Sequence, residues 1–249
     1  MRILIIKLEG PMMSFGSLSV DETRNTARHP YQSMIVGMLA NGLGLRRYDY
    51  EAISNIQQNI EIASRMDRDG VIETDYQTAW MRPSGESKKP DEPLKFRPSF
   101  IDPTKVWSTR PVILKSPKKP SDSTIQMWKW YLADAAATVA ISIKDDDLFD
   151  RIVEAVKSPS RPIFLGRKAF LPSRPLFEAI IESENVATAI AGLDFLSEDS
   201  EEEISVQYPA EYALGDMDRV SRVPDLKNWE TNLHDGYRSV KTMQIARKA

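Results

Sequence analysis

The chain has 249 residues, no cysteine, and 33 Lys and Arg against 36 Asp and Glu, a formal net charge of −3 at pH 7. A chain this long buries roughly 70–75% of its unfolded surface and needs no disulfide staple, while the lack of cysteine excludes thiol catalysis, thiolate metal sites and a disulfide framework. The charge argues against a free-standing nucleic-acid binder with a basic excess. The longest apolar runs, Ile3–Ile6 and Met34–Ala40, fall far short of the roughly 18–20 residues that span a bilayer, so a soluble cytoplasmic protein with no membrane partner is expected.

Arg2-Ile3-Leu4-Ile5-Ile6-Lys7-Leu8-Glu9 reads as a β-branched apolar strand that stops at Gly10-Pro11. A polar loop follows, carrying Ser14-Phe15-Gly16 and then Thr23-Arg24-Asn25-Thr26-Ala27-Arg28, and Pro30 introduces a helix from Tyr31 to Gly44. Strand, basic loop and helix set arginines and helix-start amides at one sheet edge, an arrangement that suits an anion. Ile53 to Ile56 forms a helical turn, and Ile60 to Met66 alternates as a strand. Asp69-Gly70 marks a hairpin turn into Val71-Ile72-Glu73-Thr74, predicting two antiparallel strands.

Residues 76–124 break every period. Eight prolines from Pro83 to Pro120 punctuate the segment, with Trp80, Phe96, Phe100 and Trp107 interleaved. From Arg82 to Lys119 there are ten basic residues against four acidic ones. Such an excursion is either a solvated linker or an arm that tracks a phosphate backbone and offers aromatics for stacking.

Beyond it, Thr124 to Leu132 is predicted as a short helix with Trp128 and Tyr131 on one side, and Asp134 to Ile143 as a strand. Asp145-Asp146-Asp147 reads as a helix-capping run, not a metal site, because Leu148, Ile152, Val153 and Val156 follow at helical spacing. Arg161 to Pro172 is read as a strand that reaches Gly166 and then two cations, Arg167 and Lys168. It is an ordinary bulge or a place where backbone approaches a ligand. Leu176 to Ile181 closes the sheet, a short helix covers Ala187–Leu193, and the acidic run Glu198–Glu203 is a solvated loop.

The fold class is therefore α+β, resembling a ferredoxin-like (RRM-like) βαββαβ unit with an extra hairpin. The expected organisation is a domain at 1–182 with an inserted basic thumb at 76–124, then a smaller β-rich lobe at 183–249.

Four segments, in order, resemble the CasD family, a subunit of the type I-E CRISPR surveillance complex Cascade. They are the stretch from Leu8-Glu9-Gly10-Pro11-Met12 through Thr23-Arg24 to the helix start with Ser33 and Gly37, then Asp75-Tyr76-Gln77-Thr78, Trp128 to Ala135, and Pro162 to Lys168. The resemblance implies an RNA-binding subunit that grips the 5′ handle of the crRNA. It implies a thumb within 76–124, a glycine loop at Gly166 that helps hold RNA, and a place at the end of the Cascade backbone next to the large subunit. Target DNA is met only through the complex, whose guide carries the sequence specificity.

By that resemblance Arg24, Arg28, Arg167, Lys168 and Lys115 contact phosphates, and Gln32 and Ser33 hydrogen-bond handle nucleotides. Gly16 and Gly166 admit the RNA backbone, and Trp107 is the stacking residue. Arg46-Arg47 serve either a helix C-terminus or RNA.

No catalytic group, cofactor or metal is expected. The only histidines are His29 and His234, and no Ser–His–Asp, His–Glu–x–x–His or P-loop arrangement exists. Related type I-C subunits cut precursor RNA with a tyrosine and an adjacent Lys–His pair. Here Tyr48 is present, but Ser116 follows Lys115. The alternative is a metal-independent endoribonuclease using Tyr48, His29 and Lys115, and a third reading is an adaptor that touches only protein.

Overall fold

Strand β1 (Arg2–Met13) buries consecutive residues, because both faces of the sheet around it are covered. Leu4, Ile6 and Leu8 point to one side with Ile35, Leu39, Phe149 and Ile152. Ile3 and Ile5 point to the other with Ala140, Val186, Ile190 and Tyr208. This two-residue alternation turns an unbroken apolar run into two cores.

The computed structural model describes residues 1–16, 23–81, 123–193, 203–215 and 219–246. After β1 come β2 (Thr23–Arg24), α1 (Gln32–Gly42), α2 (Tyr50–Asn59), β3 (Ile60–Arg68), β4 (Val71–Met81) and β5 (Ser123–Ile143). Then follow α3 (Asp146–Lys157), β6 (Phe177–Glu182), α4 (Val186–Gly192), β7 (Glu203–Pro209), β8 (Arg219–Lys227) and β9 (His234–Ala246). The fold is α+β with a mostly antiparallel sheet. Its strands run β6-β1-β5-β3-β7-β9-β8, and β2 and β4 also pair with β5.

The chain divides into two units, one of residues 1–75 and 129–249, the other of residues 76–128. In the first, the strands of the expected smaller C-terminal β-rich lobe extend the main sheet, since β7 pairs with β3 through Ser64–Gln207 and Arg65–Val206. In the second, the described parts are the ends of β4 and β5, where the Tyr76 and Trp128 rings meet at 5.3 Å. Residues 82–122, and with them most of the expected thumb, lie outside the described residues, as does the acidic run up to Glu202.

Three expectations are corrected. Residues 124–132 are strand, not helix: they open β5, which continues without interruption to Ile143. The three-residue spacing of Trp128 and Tyr131 fits a helix, but Ala133, Ala135 and Ala137 farther along pair across to Met12, Gly10 and Leu8 of β1. The second correction concerns the expected hairpin, because β4 pairs with β5, not with β3. Third, the segment around Gly166 is a loop, not a strand. It is closed on itself by Leu165 N–H to the Phe170 carbonyl at 2.7 Å and Phe170 N–H to the Arg167 carbonyl at 2.9 Å.

The helix-capping expectation holds. The Asp145 carboxylate accepts from the Leu148 amide at 2.8 Å and caps α3, satisfying an amide the helix leaves without a partner. Asp146 and Asp150 pair with Arg2. A polar layer lies on the Ala63 side of the sheet, where the buried Arg65 donates to Asp67 at 2.6 Å and to the Leu193 carbonyl at 2.7 Å, and Thr138 donates to Asp67. Among the described residues no helix is long and apolar enough to cross a membrane.

Candidate nucleic-acid interface

Where β1 leaves the sheet, its backbone is held from both sides. Ser14 N–H donates to the Leu165 carbonyl at 3.0 Å, Phe15 N–H to Thr26 Oγ1 at 3.1 Å, and Ala27 N–H to the Gly16 carbonyl at 2.9 Å. The loop that follows β2 and the 165–170 loop therefore flank Ser14-Phe15-Gly16. Gly166 makes this possible: its φ is +91°, and a Cβ there would stand 1.8 Å from the Ser14 carbonyl oxygen. Only glycine tolerates both the conformation and the approach.

A groove of about 750 Å³ opens over this junction. Its floor is the β1 exit and the exposed side of α1, from Tyr31, Ser33 and Met34 to Gly37, Met38 and Asn41. Arg24 and Asn25 form one wall, with Lys129 of β5, Phe164, Gly166 and Arg167 beside them. The end of β8 supplies Lys227, the connection to β9 supplies Trp229, Asn232 and Leu233, and the start of β9 supplies His234. Four cationic side chains, Arg24, Lys129, Arg167 and Lys227, line the groove, and among the described residues no carboxylate does. In a chain with net charge −3, that segregation creates a local positive potential suited to an anion.

The cations are held differently. Arg24 is exposed, with no ion pair among the described residues. Arg167 donates from Nη2 to the Trp130 carbonyl at 3.1 Å and lies over the rings of Phe170 and Tyr131, 5.5 and 6.0 Å from their centroids. Those rings meet edge to face at 5.6 Å. Burial pulls the Arg167 guanidinium below its ordinary value, while Asp75 opposes the shift. It remains charged at neutral pH, a cation fixed in place by a stacked plane.

The β8–β9 connection is anchored by Gln57 of α2. Gln57 Oε1 accepts from Trp229 Nε1 at 3.0 Å and from the Lys227 amide at 3.3 Å, and Gln57 Nε2 donates to the Lys227 carbonyl at 3.0 Å. Trp229 packs over Gly37, where a Cβ would lie 3.6 Å from its ring, and the Lys227 ammonium sits 4.7 Å from its centroid. Asn228 closes the turn by accepting from the Glu230 and Thr231 amides. The Asn25 side-chain oxygen is buried beside the groove with no hydrogen-bond partner among the described residues.

Of the residues expected to bind RNA, the groove brings together Gly16, Arg24, Ser33, Gly166 and Arg167. Gln32 is not among them. It is buried and its side-chain amide donates to the carbonyls of Gln57 and Ile60. The start of α1 already has its anion, because Asp225, fully buried, accepts from the Gln32 amide at 3.1 Å and pairs with Arg238 at 2.8 Å. Arg28 is exposed and pairs with Asp69 at 3.2 Å, and Lys168 is exposed; neither lines the groove. Trp107 and Lys115 lie outside the described residues.

His29 is buried, with Nδ1 at 2.9 Å from Ser64 Oγ and Nε2 at 2.8 Å from Ser205 Oγ, and burial pushes it down to about 4. Tyr48 is exposed and hydrogen-bonded to Arg46. Sequence reasoning does not find Lys129, Lys227, Trp229 and Asn41. The signal for two of them is the isolated Lys227-Asn228-Trp229, whose neighbours in space come from the far end of the chain.

Comparison with known proteins agrees with this architecture. The family described as CRISPR-associated protein (Cas_Cas5) matches residues 3–241. The chain is 27% identical over 206 residues to the CRISPR system Cascade subunit CasD of Escherichia coli (strain K12), covering 79% of this chain and 81% of that protein. Two solved structures share the fold. "Crystal structure of Cas protein" aligns with a TM-score of 0.64 at 22% identity, over 98% of this chain and 95% of the other. "CRISPR RNA-guided surveillance complex" aligns with a TM-score of 0.61 at 22% identity, over 98% and 90%. With a family match that spans nearly its whole length, the chain belongs to the CRISPR-associated Cas5 family that includes CasD.

Proposed function

We propose that this chain is the non-catalytic crRNA-binding subunit of a type I-E Cascade complex, and that its groove holds the 5′ handle of the crRNA. The observation that carries the proposal is the convergence of Arg24, Lys129, Arg167 and Lys227 over the β1 exit, in a groove that no carboxylate lines among the described residues. Single-stranded RNA offers what such a groove accepts: phosphates for the cations, and bases for Trp229 and Phe164. The buried Asn25 oxygen is an acceptor, which no phosphate can satisfy and which a 2′-hydroxyl or a base N–H can. The name of the E. coli relative, a Cascade subunit, supports the assignment.

In this reading the chain caps the backbone subunits at the handle end, beside the large subunit, in the cytoplasm, and meets target DNA through the guide. The order β6-β1-β5-β3, with α1 and α2 between β1 and β3 and α3 between β5 and β6, supports a ferredoxin-like βαββαβ core. The endoribonuclease reading gains no support from His29, whose ring is buried between two serines.

The test is affinity for repeat-derived RNA. Arg24→Gln with Arg167→Gln is expected to weaken binding at least tenfold while secondary structure is retained. Unchanged affinity in that double variant overturns the assignment of the groove.

A further inference from the structure

A second cavity, of about 220 Å³, lies next to the groove, and Gly37, Asn41, Phe164, Trp229 and Asn232 line both. Trp229 thus borders both. The second cavity has an apolar side, Ala40, Leu45 and Ile53, and a cationic side, Arg46 and Arg47. Among the described residues no carboxylate lines it.

This is a pairing of features that a lone phosphate or an apolar peptide would use only in part. An apolar wall with two arginines at one side fits a group with a flat apolar body and an adjacent anion, which is the chemistry of a nucleotide.

We infer that the second cavity is a subsite for one nucleotide of the strand lying in the groove, its base against Trp229 and Phe164 and its phosphate at Arg46 and Arg47. The inference rests on the groove reading and adds a direction: the strand passes Trp229 and leaves toward the turn between α1 and α2. Arg46 and Arg47 are exposed and follow the end of α1 by four and five residues, too far along to serve as its cap. The electrostatics agree, because after burial the charge of Arg47 is what pulls the Lys227 ammonium below its ordinary value. The two cations therefore lie close enough to repel, and an intervening phosphate relieves that repulsion.

The experiment is site-specific photocrosslinking of the full chain, together with the subunits that co-purify with it. The probe is a repeat-derived RNA in which one 4-thiouridine is walked along the sequence. One position is expected to crosslink to the peptides carrying Phe164 or Trp229, with its neighbours crosslinking to residues 14–16. In Arg46→Gln with Arg47→Gln, both exposed residues, that one crosslink is expected to fall at least fivefold while those at 14–16 persist. The slope of log affinity against log salt should flatten by about 0.7, the value for one phosphate on a single strand. Crosslinks at 14–16 with none at Phe164 or Trp229, or a crosslink there unchanged in the double variant, overturn the subsite and leave the groove reading intact. RNA binding that ignores Arg24→Gln with Arg167→Gln, without crosslinks at 14–16, removes the groove reading and the subsite together.

Discussion

The carbonyl oxygen of Ser14 occupies the space where a side chain on Gly166 would begin, 1.8 Å from the ideal Cβ position. That approach joins the end of the first strand to a loop 152 residues later and brings Arg167 to the groove. Gly166→Ala must move the loop, the strand exit or both, and it adds the strain of a non-glycine residue at φ +91°, about 1–3 kcal/mol. The expected result is a lower melting temperature together with weaker RNA binding. Gly16→Ala separates the two effects, because Gly16 has φ +75° but no atom of the described residues within 4 Å of its Cβ position. It should cost stability by strain alone and less affinity than Gly166→Ala, measured by thermal melts and filter binding.

Arg24 and Arg167 differ in how they are held, so they should fail differently. Arg24 is exposed and Arg167 is stacked on Phe170 and Tyr131. Arg24→Lys keeps a point charge and should retain most binding. Arg167→Lys loses the guanidinium's place over the two rings and its hydrogen bond to the Trp130 carbonyl, so it should weaken binding several-fold despite unchanged charge. Titrations at two salt concentrations check this, with the Arg→Gln variants flattening the salt slope by about 0.7 for each phosphate left without its cation.

Gln57 does not line the groove, yet three of its hydrogen bonds position Lys227 and Trp229. Gln57→Leu should therefore loosen the β8–β9 connection and weaken RNA binding, with a loss of stability of about 1–3 kcal/mol from unsatisfied partners. Hydrogen exchange at residues 227–233 should accelerate, while exchange in β1 should not. Equal acceleration throughout would show Gln57 to be a global support rather than a support of the groove wall.

His29 makes stability depend on acidity. Burial first, then the charges of Arg238 and Arg28, lower its value from 6.5 to about 4. Between those values the unfolded chain binds a proton that the folded chain refuses, so stability falls as pH drops from about 6.5 toward 4. The full effect is on the order of 3 kcal/mol. Urea midpoints measured across this range should fall less steeply in His29→Gln than in the parent, with the difference fading above pH 7.

Local patterns make much of the fold legible. The apolar run Ile3–Ile6, the alternation of Ile60–Met66 and the Asp145 cap each depend on neighbours in sequence, and the structure has all three. Trp128 and Tyr131 mislead because three-residue spacing suggests a helix, whereas partners in β1 and β3 make the residues beyond them the continuation of one long strand. Asp69-Gly70 misleads as a hairpin because sequence shows the turn but not the strand that β4 pairs with.

The groove is half legible for the same reason. Gly16, Arg24, Ser33, Gly166 and Arg167 stand in motifs, and the fold brings them together. Gln32 stands in the same motif and turns inward, where its side-chain amide donates to the carbonyls of Gln57 and Ile60. Lys227 and Trp229 arrive from a hairpin of low sequence signal, and only the sheet order β3-β7-β9-β8 places them there.

The central claim is that this groove holds RNA within a larger assembly. The most direct measurement is to purify the tagged chain with the products of neighbouring genes and sequence the RNA that accompanies it, for the parent and for Arg24→Gln with Arg167→Gln. The account predicts RNAs of uniform length that share one 5′ handle with the parent, and their depletion with the double variant. Handle-bearing RNA retained in full by the double variant, or protein partners recovered without RNA, would contradict it.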